Sequence, residues 1–145
     1  MLAAGGRAGS FVSSAMLAAC VAALAEATAD TVSSEMGQAL AGTRWGGTTL
    51  LITTGKPVAA GTDGGVSVAG TAFGALAAAV VVLLSPFAHM AGAALGIFAA
   101  ACAGLIFDSV LGATLERRGW LGNDLVNFTS TVFAAAVAWG ALRLL

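Results

Sequence analysis

The sequence predicts an all-α polytopic membrane protein with about four transmembrane helices and a small cytoplasmic β-hairpin. Three observations carry that prediction. The 145-residue chain is 59% hydrophobic and only 9% charged, with a mean hydropathy of +0.95. Four apolar runs approach the ~20 residues that a helix needs to cross a bilayer. Between the first two runs lies a polar stretch holding β-branched residues between turn formers. A soluble domain of this size would carry about 25% charged residues, so the deficit points to lipid as the solvent. The length suits a single integral membrane domain, 1–145. A net charge of −1 without a basic run argues against a nucleic-acid partner.

The first helix is expected over about 11–36, where an apolar run from Phe11 to Ala29 continues into a patterned polar end. Arg7 and Ala25-Glu26-Ala27 also fit a cleaved leader with a small-residue site. The run continues straight into patterned sequence, which disfavours that reading. The polar loop covers about 37–63. Its Thr48–Thr53 segment lies between Gly46-Gly47 and Thr54-Gly55-Lys56-Pro57, and Val58-Ala59-Ala60 supplies the second arm of a hairpin. The second helix is expected over about 64–85, ending at Ser85-Pro86, the third over about 88–113 and the fourth over about 124–145. Gly70 and Gly74, and Gly92 and Gly96, form small-xxx-small pairs that read as close packing within one chain. Cys20 and Cys102 read as small buried hydrophobes, and His89 as an interfacial residue at the opposite membrane face.

Arg44, Lys56, Arg117 and Arg118 fall in the two loops on one side, against Arg7 and Arg143 on the other, so the loop side is expected to be cytoplasmic. Reading the direction of each helix places Asp30, Glu35, Asp63, Asp108 and Asp124 on that same side. A carboxylate at the edge of a bilayer is costly, so it usually faces a polar cavity, a cation or a substrate.

Four constellations could carry chemistry. Glu26, Asp30 and Ser34 are spaced by four and share one helix face, with Ser33, Glu35 and Gly37 beside them. Such a stripe can hold hydrated magnesium, which favours one or two carboxylates plus substrate phosphates; the bland alternative is a solvated helix end. Lys56 and Gly61-Thr62-Asp63-Gly64-Gly65 could hold a phosphate at the start of the second helix, although Asp-Gly-Gly is also an ordinary turn. Asp108 sits about one turn inside the third helix, followed by Glu116-Arg117-Arg118. Asn123 reads equally as an N-cap and as a ligand contact, whereas Asn127, one turn deeper, has no capping explanation. No Ser/His/Asp set and no His/Cys cluster supports a hydrolase or redox enzyme.

Four motifs resemble one membrane family in sequence and in order. They are Ala-Asp-Thr-Val-Ser-Ser-Glu-Met-Gly at 29–37, Gly-Thr-Asp-Gly-Gly-Val-Ser at 61–67, Asp-Ser-Val-Leu-Gly-Ala at 108–113 and Asn-Asp-Leu-Val-Asn at 123–127. The family includes plant phytyl-phosphate kinase and transmembrane protein 19, and is distantly similar to CTP-dependent dolichol and phytol kinases and phosphatidate cytidylyltransferases. The resemblance implies phosphoryl transfer from a nucleoside triphosphate, CTP favoured, to a prenyl alcohol or a prenyl monophosphate such as phytyl phosphate, with Mg2+. In that reading Asp30 and Asp108 hold the metal, with Glu35 or Asp124 in support. Ser34, Lys56, Gly61, Thr62, Gly64 and Gly65 hold the nucleotide, Asn123 and Asn127 bind substrate, and Asp63 or Asp124 serves as base for an alcohol. Members typically carry more helices ahead of the Ala-Asp-Thr helix, so the chain is expected to match a C-terminal part. Leu2–Gly6 resembles the remnant of a preceding glycine motif, and a homodimer or a missing N-terminal half would complete the bundle. The competing expectations are a cation-coupled transporter or channel module and a non-catalytic assembly subunit.

Overall fold

A computed structural model describes residues 3–143, with side chains from Ser14 onward. Of the Leu2–Gly6 motif, Leu2 lies outside the described residues and the rest is described in backbone only, as is Arg7. Four α-helices carry the fold: α1 (Ala3–Ala39), α2 (Val68–Leu83), α3 (Ala91–Leu111) and α4 (Asn123–Leu142). A π-helical turn, Gly112–Glu116, prolongs α3. Two short strands, β1 (Leu50–Leu51) and β2 (Gly65–Val66), pair antiparallel, Leu50 opposite Val66 and Leu51 opposite Gly65.

α1 is central because of its alanines. Ala15, Ala18, Ala22, Ala25 and Ala29 recur at steps of three and four and are at most 1% exposed. In lipid, helix association relies on close backbone approach, which small residues permit. All three other helices pack on α1. Ala78 and Val82 of α2, Ile97 and Ala101 of α3, and Ala138 of α4 complete the core. α2 approaches most closely. A Cβ at Gly74 would lie 2.8 Å from the Ala29 carbonyl, and one at Gly70 would lie 2.7 Å from that of Ser33. Gly92 and Gly96 differ from the expected packing role: a Cβ at either meets open space. Cys20 is exposed on α1 rather than buried, and Cys102 is half-buried; both are free thiols.

The helix limits shift for identifiable reasons. The chain at 64–67 is used by β2 and the α2 cap, so α2 begins at Val68 instead of 64. Ser67 Oγ, buried, accepts from Gly70 N at 3.1 Å. Three segments, Ser14–Ala39, Ala91–Glu116 and Asn123–Leu142, are long and apolar enough to cross a membrane. At 16 residues α2 spans about 24 Å, short of the ~30 Å hydrocarbon core. The chain nevertheless crosses there, because α1 and α3 both end at the face where α2 and α4 begin. The apolar turn Leu84–Met90, whose Phe87 is buried, supplies the missing length.

The strand pairing also departs from expectation. Val58 N bonds Thr49 O and Leu51 N bonds Lys56 O, so the chain does fold back at 49–58. The ladder partner of β1 is nevertheless Gly65–Val66, not Val58–Ala60. Trp45 and Trp120 flank the loops at this end, each under an arginine, Arg44 at 4.5 Å and Arg118 at 5.5 Å. Arg143 lies 3.8 Å from the Trp139 ring at the other end. Aromatic residues thus stand at both ends of the bundle, as is usual where a membrane protein meets its two interfaces.

Candidate functional site

A cleft of about 470 Å³ opens at the end where the two loops meet. α1 contributes Asp30, Ser33, Ser34 and Gly37, which are spaced i, i+3, i+4 and i+7 and so share one face. The loop from Ala60 to Ser67 forms a second wall, and α3 with its π turn supplies Asp108, Ser109, Gly112 and Glu116. Asn123 and Asn127 close it from α4. Its lining holds four acids, Asp30, Asp63, Asp108 and Glu116, and no lysine, arginine or histidine.

The carboxyl groups of Asp30 and Asp108 face one another within hydrogen-bonding reach, although they arrive on different helices. Two carboxylates ~4 Å apart repel by about 4 kcal/mol at an effective dielectric of ~20, so the pair is suited to a cation between or above them. α4 holds Asp108 in place. Ser130 Oγ lies 3.1 Å from Asp108 Oδ1 and 2.9 Å from Asn127 O, and its single proton can serve one at a time. With its amide oriented to satisfy its neighbours, Asn127 Nδ2 donates to Asp108 Oδ1 and to Asn123 O, each at 3.3 Å.

Below the pair sits Glu26, 1% exposed. Thr131 Oγ1 donates to its Oε2 at 2.6 Å, Ser130 stands beside the carboxyl group, and among the described residues Glu26 Oε1 has no hydrogen-bond partner. Gly104 makes the room: a Cβ there would stand 2.6 Å from Glu26 Cγ. Asn127, Ser130 and Thr131 thus form a donor ladder on one face of α4. Ser130 and Thr131 escaped sequence reasoning, although three polar side chains at i, i+3 and i+4 in an apolar helix are a readable signal. Glu116, grouped with Asp108 in the sequence but given no role there, reaches the cleft on the π turn.

Other expected residues divide cleanly. Asp63, Ser34, Gly61, Thr62, Gly64, Gly65, Asn123 and Asn127 line the cleft with the carboxylate pair. Glu35, Lys56 and Asp124 do not, and all three are exposed. Five residues on from Asp30, Glu35 lies about 140° round the helix, off the cleft face. Asp124 sits in the first turn of α4, where the helix dipole favours a carboxylate. The cap position of α4 is Gly122, so Asn123 is not the cap. Lys56 stands on the hairpin turn, where its backbone N donates to Thr54 Oγ1 and its carbonyl accepts from Leu51 N.

The glycine loop is built for packing as well as approach. Gly64 has φ +71°, and a Cβ there would collide with the backbone N and Cα of Ala113. Two loop amides are already engaged, Thr62 N by Ala59 O and Gly65 N by Thr62 O. The α2 amide at Gly70 is satisfied by Ser67. Among the described residues no group of three or more His, Cys, Asp and Glu forms a metal cage. The oxygen-only donor set of two carboxylates with nearby hydroxyls suits an ion that completes its shell with substrate phosphates and water, as magnesium does.

The sequence profile described as integral membrane protein DUF92 matches residues 2–135. The chain is 37% identical over 123 residues to an uncharacterized membrane protein of Synechocystis, covering 83% of this chain and 46% of that protein. It is 35% identical to an uncharacterized membrane protein of Methanocaldococcus jannaschii, covering 81% of this chain and 48% of the other. It is 36% identical over 115 residues to Protein VTE6, chloroplastic, of Arabidopsis thaliana, covering 75% of this chain and 33% of the plant protein. The chain therefore spans half or less of the length of these relatives. No solved structure matches it. With the helical bundle and three membrane-length segments already in place, the match over most of the chain settles the kinship: the protein belongs to the DUF92 family of integral membrane proteins.

Proposed function

We propose that the protein is a membrane-embedded phosphotransferase that moves a phosphoryl group from a nucleoside triphosphate, CTP favoured, to a prenyl alcohol or prenyl monophosphate. The observation that carries this reading is the meeting of Asp30 and Asp108 on a cleft that no basic residue lines. A triphosphate entering such a cleft needs its charge neutralised by a cation it brings along. Phosphoryl transfer asks mainly for positioning and charge stabilisation. The motif resemblance to plant phytyl-phosphate kinase, and the kinship with a chloroplast protein, support the prenyl acceptor.

In this reading Asp30 and Asp108 would hold Mg2+, which supplies charge neutralisation to the phosphates. Asn127 and Ser130 orient Asp108. The acceptor oxygen bonds the γ-phosphorus as the bond to the β–γ bridging oxygen breaks, and the nucleoside diphosphate leaves. An alcohol acceptor passes its proton to Asp63, which lines the cleft; a monophosphate acceptor carries an ionised oxygen and needs no base. The decisive assay combines purified protein in detergent, Mg2+, labelled CTP, ATP or GTP, and a panel of prenyl alcohols and monophosphates. Labelled prenyl phosphate is the expected product, and its absence across the panel removes the reading.

One observation favours a second class. Glu26 carries a carboxylate into the middle of a membrane helix, as cation pathways do. Cation flux into proteoliposomes, blocked by Glu26→Gln, would move the assignment to a transporter or channel module. A protein that neither transfers phosphate nor moves cations would be left with an assembly role.

Two further outcomes follow from the placement of the loops. The excess of basic residues at the cleft end supports a cytoplasmic cleft. Single cysteines at Thr43 and Gly119, in a chain lacking Cys20 and Cys102, should both react only with reagent added from the cytoplasmic side. Labelling from the outer side reverses the orientation. Lys56→Ala should leave CTP affinity within about twofold at 0.15 M salt, because a solvated charge outside the cleft is screened over ~8 Å. A larger loss in a titration would return Lys56 to the nucleotide site.

A further inference from the structure

The polar cleft has an apolar neighbour. A hollow of about 330 Å³ lies where Thr48 and Leu50 of the β1 arm face Val68 and Ala72 of α2, and its surface is almost wholly apolar. Its inner wall is Val66, Ser67 and Thr71, and these same three residues line the polar cleft. Both volumes fall within the ~300–1,000 Å³ of ordinary ligand pockets. The hollow also has an exit. Val68, Ala72, Leu76 and Val80 are spaced by four on one face of α2; Val68 is 83%, Leu76 59% and Val80 48% exposed. A continuous apolar track therefore leads from the hollow along α2 into the bilayer.

We propose that this hollow seats the first isoprene units of the acceptor, whose polar end reaches the Asp30–Asp108 pair over the Ser67–Thr71 lip. The inference rests on the phosphotransferase reading for the identity of the head group. The occupant follows from the shared wall. A bulk lipid chain could fill the hollow alone, but only an amphiphile with a small polar end fits cleft and hollow together. Prenyl tails carry a methyl branch on every unit, and Thr48, Thr71 and Ala72 put small side chains along the hollow. Ala72 lines the hollow and not the cleft, which makes it a position that governs entry of the tail and not of the head group.

The test uses a twenty-carbon prenyl monophosphate bearing a diazirine on its first unit, with the whole protein in lipid vesicles. Label should appear on the peptides containing Thr48–Leu50 or Val68–Ala72, and unlabelled prenyl monophosphate should reduce it about tenfold, as a specific site of ordinary affinity requires. Ala72→Phe fills the hollow from a position that does not itself line the cleft. It should lower labelling and turnover of the long acceptor about tenfold, while CTP affinity, which depends on the cleft, stays within about twofold. Thr48→Phe fills the same space from the exposed opposite wall and should behave alike, so a folding defect in one variant does not decide the outcome. Label that prenyl monophosphate fails to displace, or that a phospholipid acyl probe matches, identifies bulk lipid and overturns the proposal. Displaceable labelling without phosphoryl transfer keeps the tail site and rejects the kinase reading. Wild-type transfer to the long acceptor by both Phe variants does the reverse.

Discussion

Asp30→Asn is expected to lower phosphoryl transfer by about 10²–10³-fold, the usual loss when one charge-stabilising group is removed from a reaction centre. The same change should leave the protein folded and no less stable. It keeps the shape of the side chain, and it removes one of two facing like charges that no basic cleft residue offsets. Activity and stability thus move apart, which a merely structural role for Asp30 would not produce. Asp108→Asn should behave the same way, since asparagine can still accept from Ser130. The double variant should be little worse than either single one, because residues that hold one ion act as a unit. Asp124→Asn serves as the control. Its carboxylate does not line the cleft, so transfer should stay within about twofold of wild type. The measurement is initial rate with labelled nucleotide beside a thermal melt, and full activity in Asp30→Asn would falsify the assignment of the pair.

What the sequence reveals here is what depends on local pattern. The helices follow from apolar length and from the Ser85-Pro86 break, and the i, i+3, i+4 and i+7 spacing alone places Asp30, Ser33, Ser34 and Gly37 on one helix face. The meeting of Asp30 with Asp108 is different. Their common membrane depth is readable, but their contact depends on α1 and α3 packing side by side, and that comes from the alanine face of α1 and the clearance at Gly104. The β pairing is not legible in the same way, because antiparallel pairing is not local. Val58–Ala60 is nearer in sequence, yet the turns at Gly61 and Gly64, both with positive φ, bring Gly65–Val66 onto β1. Lys56 illustrates the opposite case. A lysine beside a glycine loop reads as a phosphate contact, but the turn at 51–56 leaves it in solvent.

Glu26→Leu combined with Thr131→Val should leave stability unchanged or raise it by up to about 3 kcal/mol, because replacing both partners of a buried, incompletely satisfied polar pair by apolar groups removes the desolvation cost. The expectation comes from the balance at that site. One hydrogen bond from Thr131, 2.6 Å long, contributes about 1 kcal/mol, whereas the unpartnered Oε1 costs about 1–3 kcal/mol. Each single change is worse than the pair. Thr131→Val removes the short hydrogen bond to the carboxyl group and should destabilise by about 1–3 kcal/mol. Glu26→Leu leaves the threonine hydroxyl without its partner, though it can turn to a carbonyl in the preceding turn, so its loss should be smaller. The four proteins form a double-mutant cycle with a coupling of opposite sign to the Thr131→Val effect. Denaturation in detergent measures it, and a double variant less stable than wild type would show that Glu26 is a net structural asset. If the double variant is instead more stable, the carboxylate is kept at a cost to the fold. Its place beneath the Asp30–Asp108 pair then gives the reason, and phosphoryl transfer should fall in the variant that melts highest.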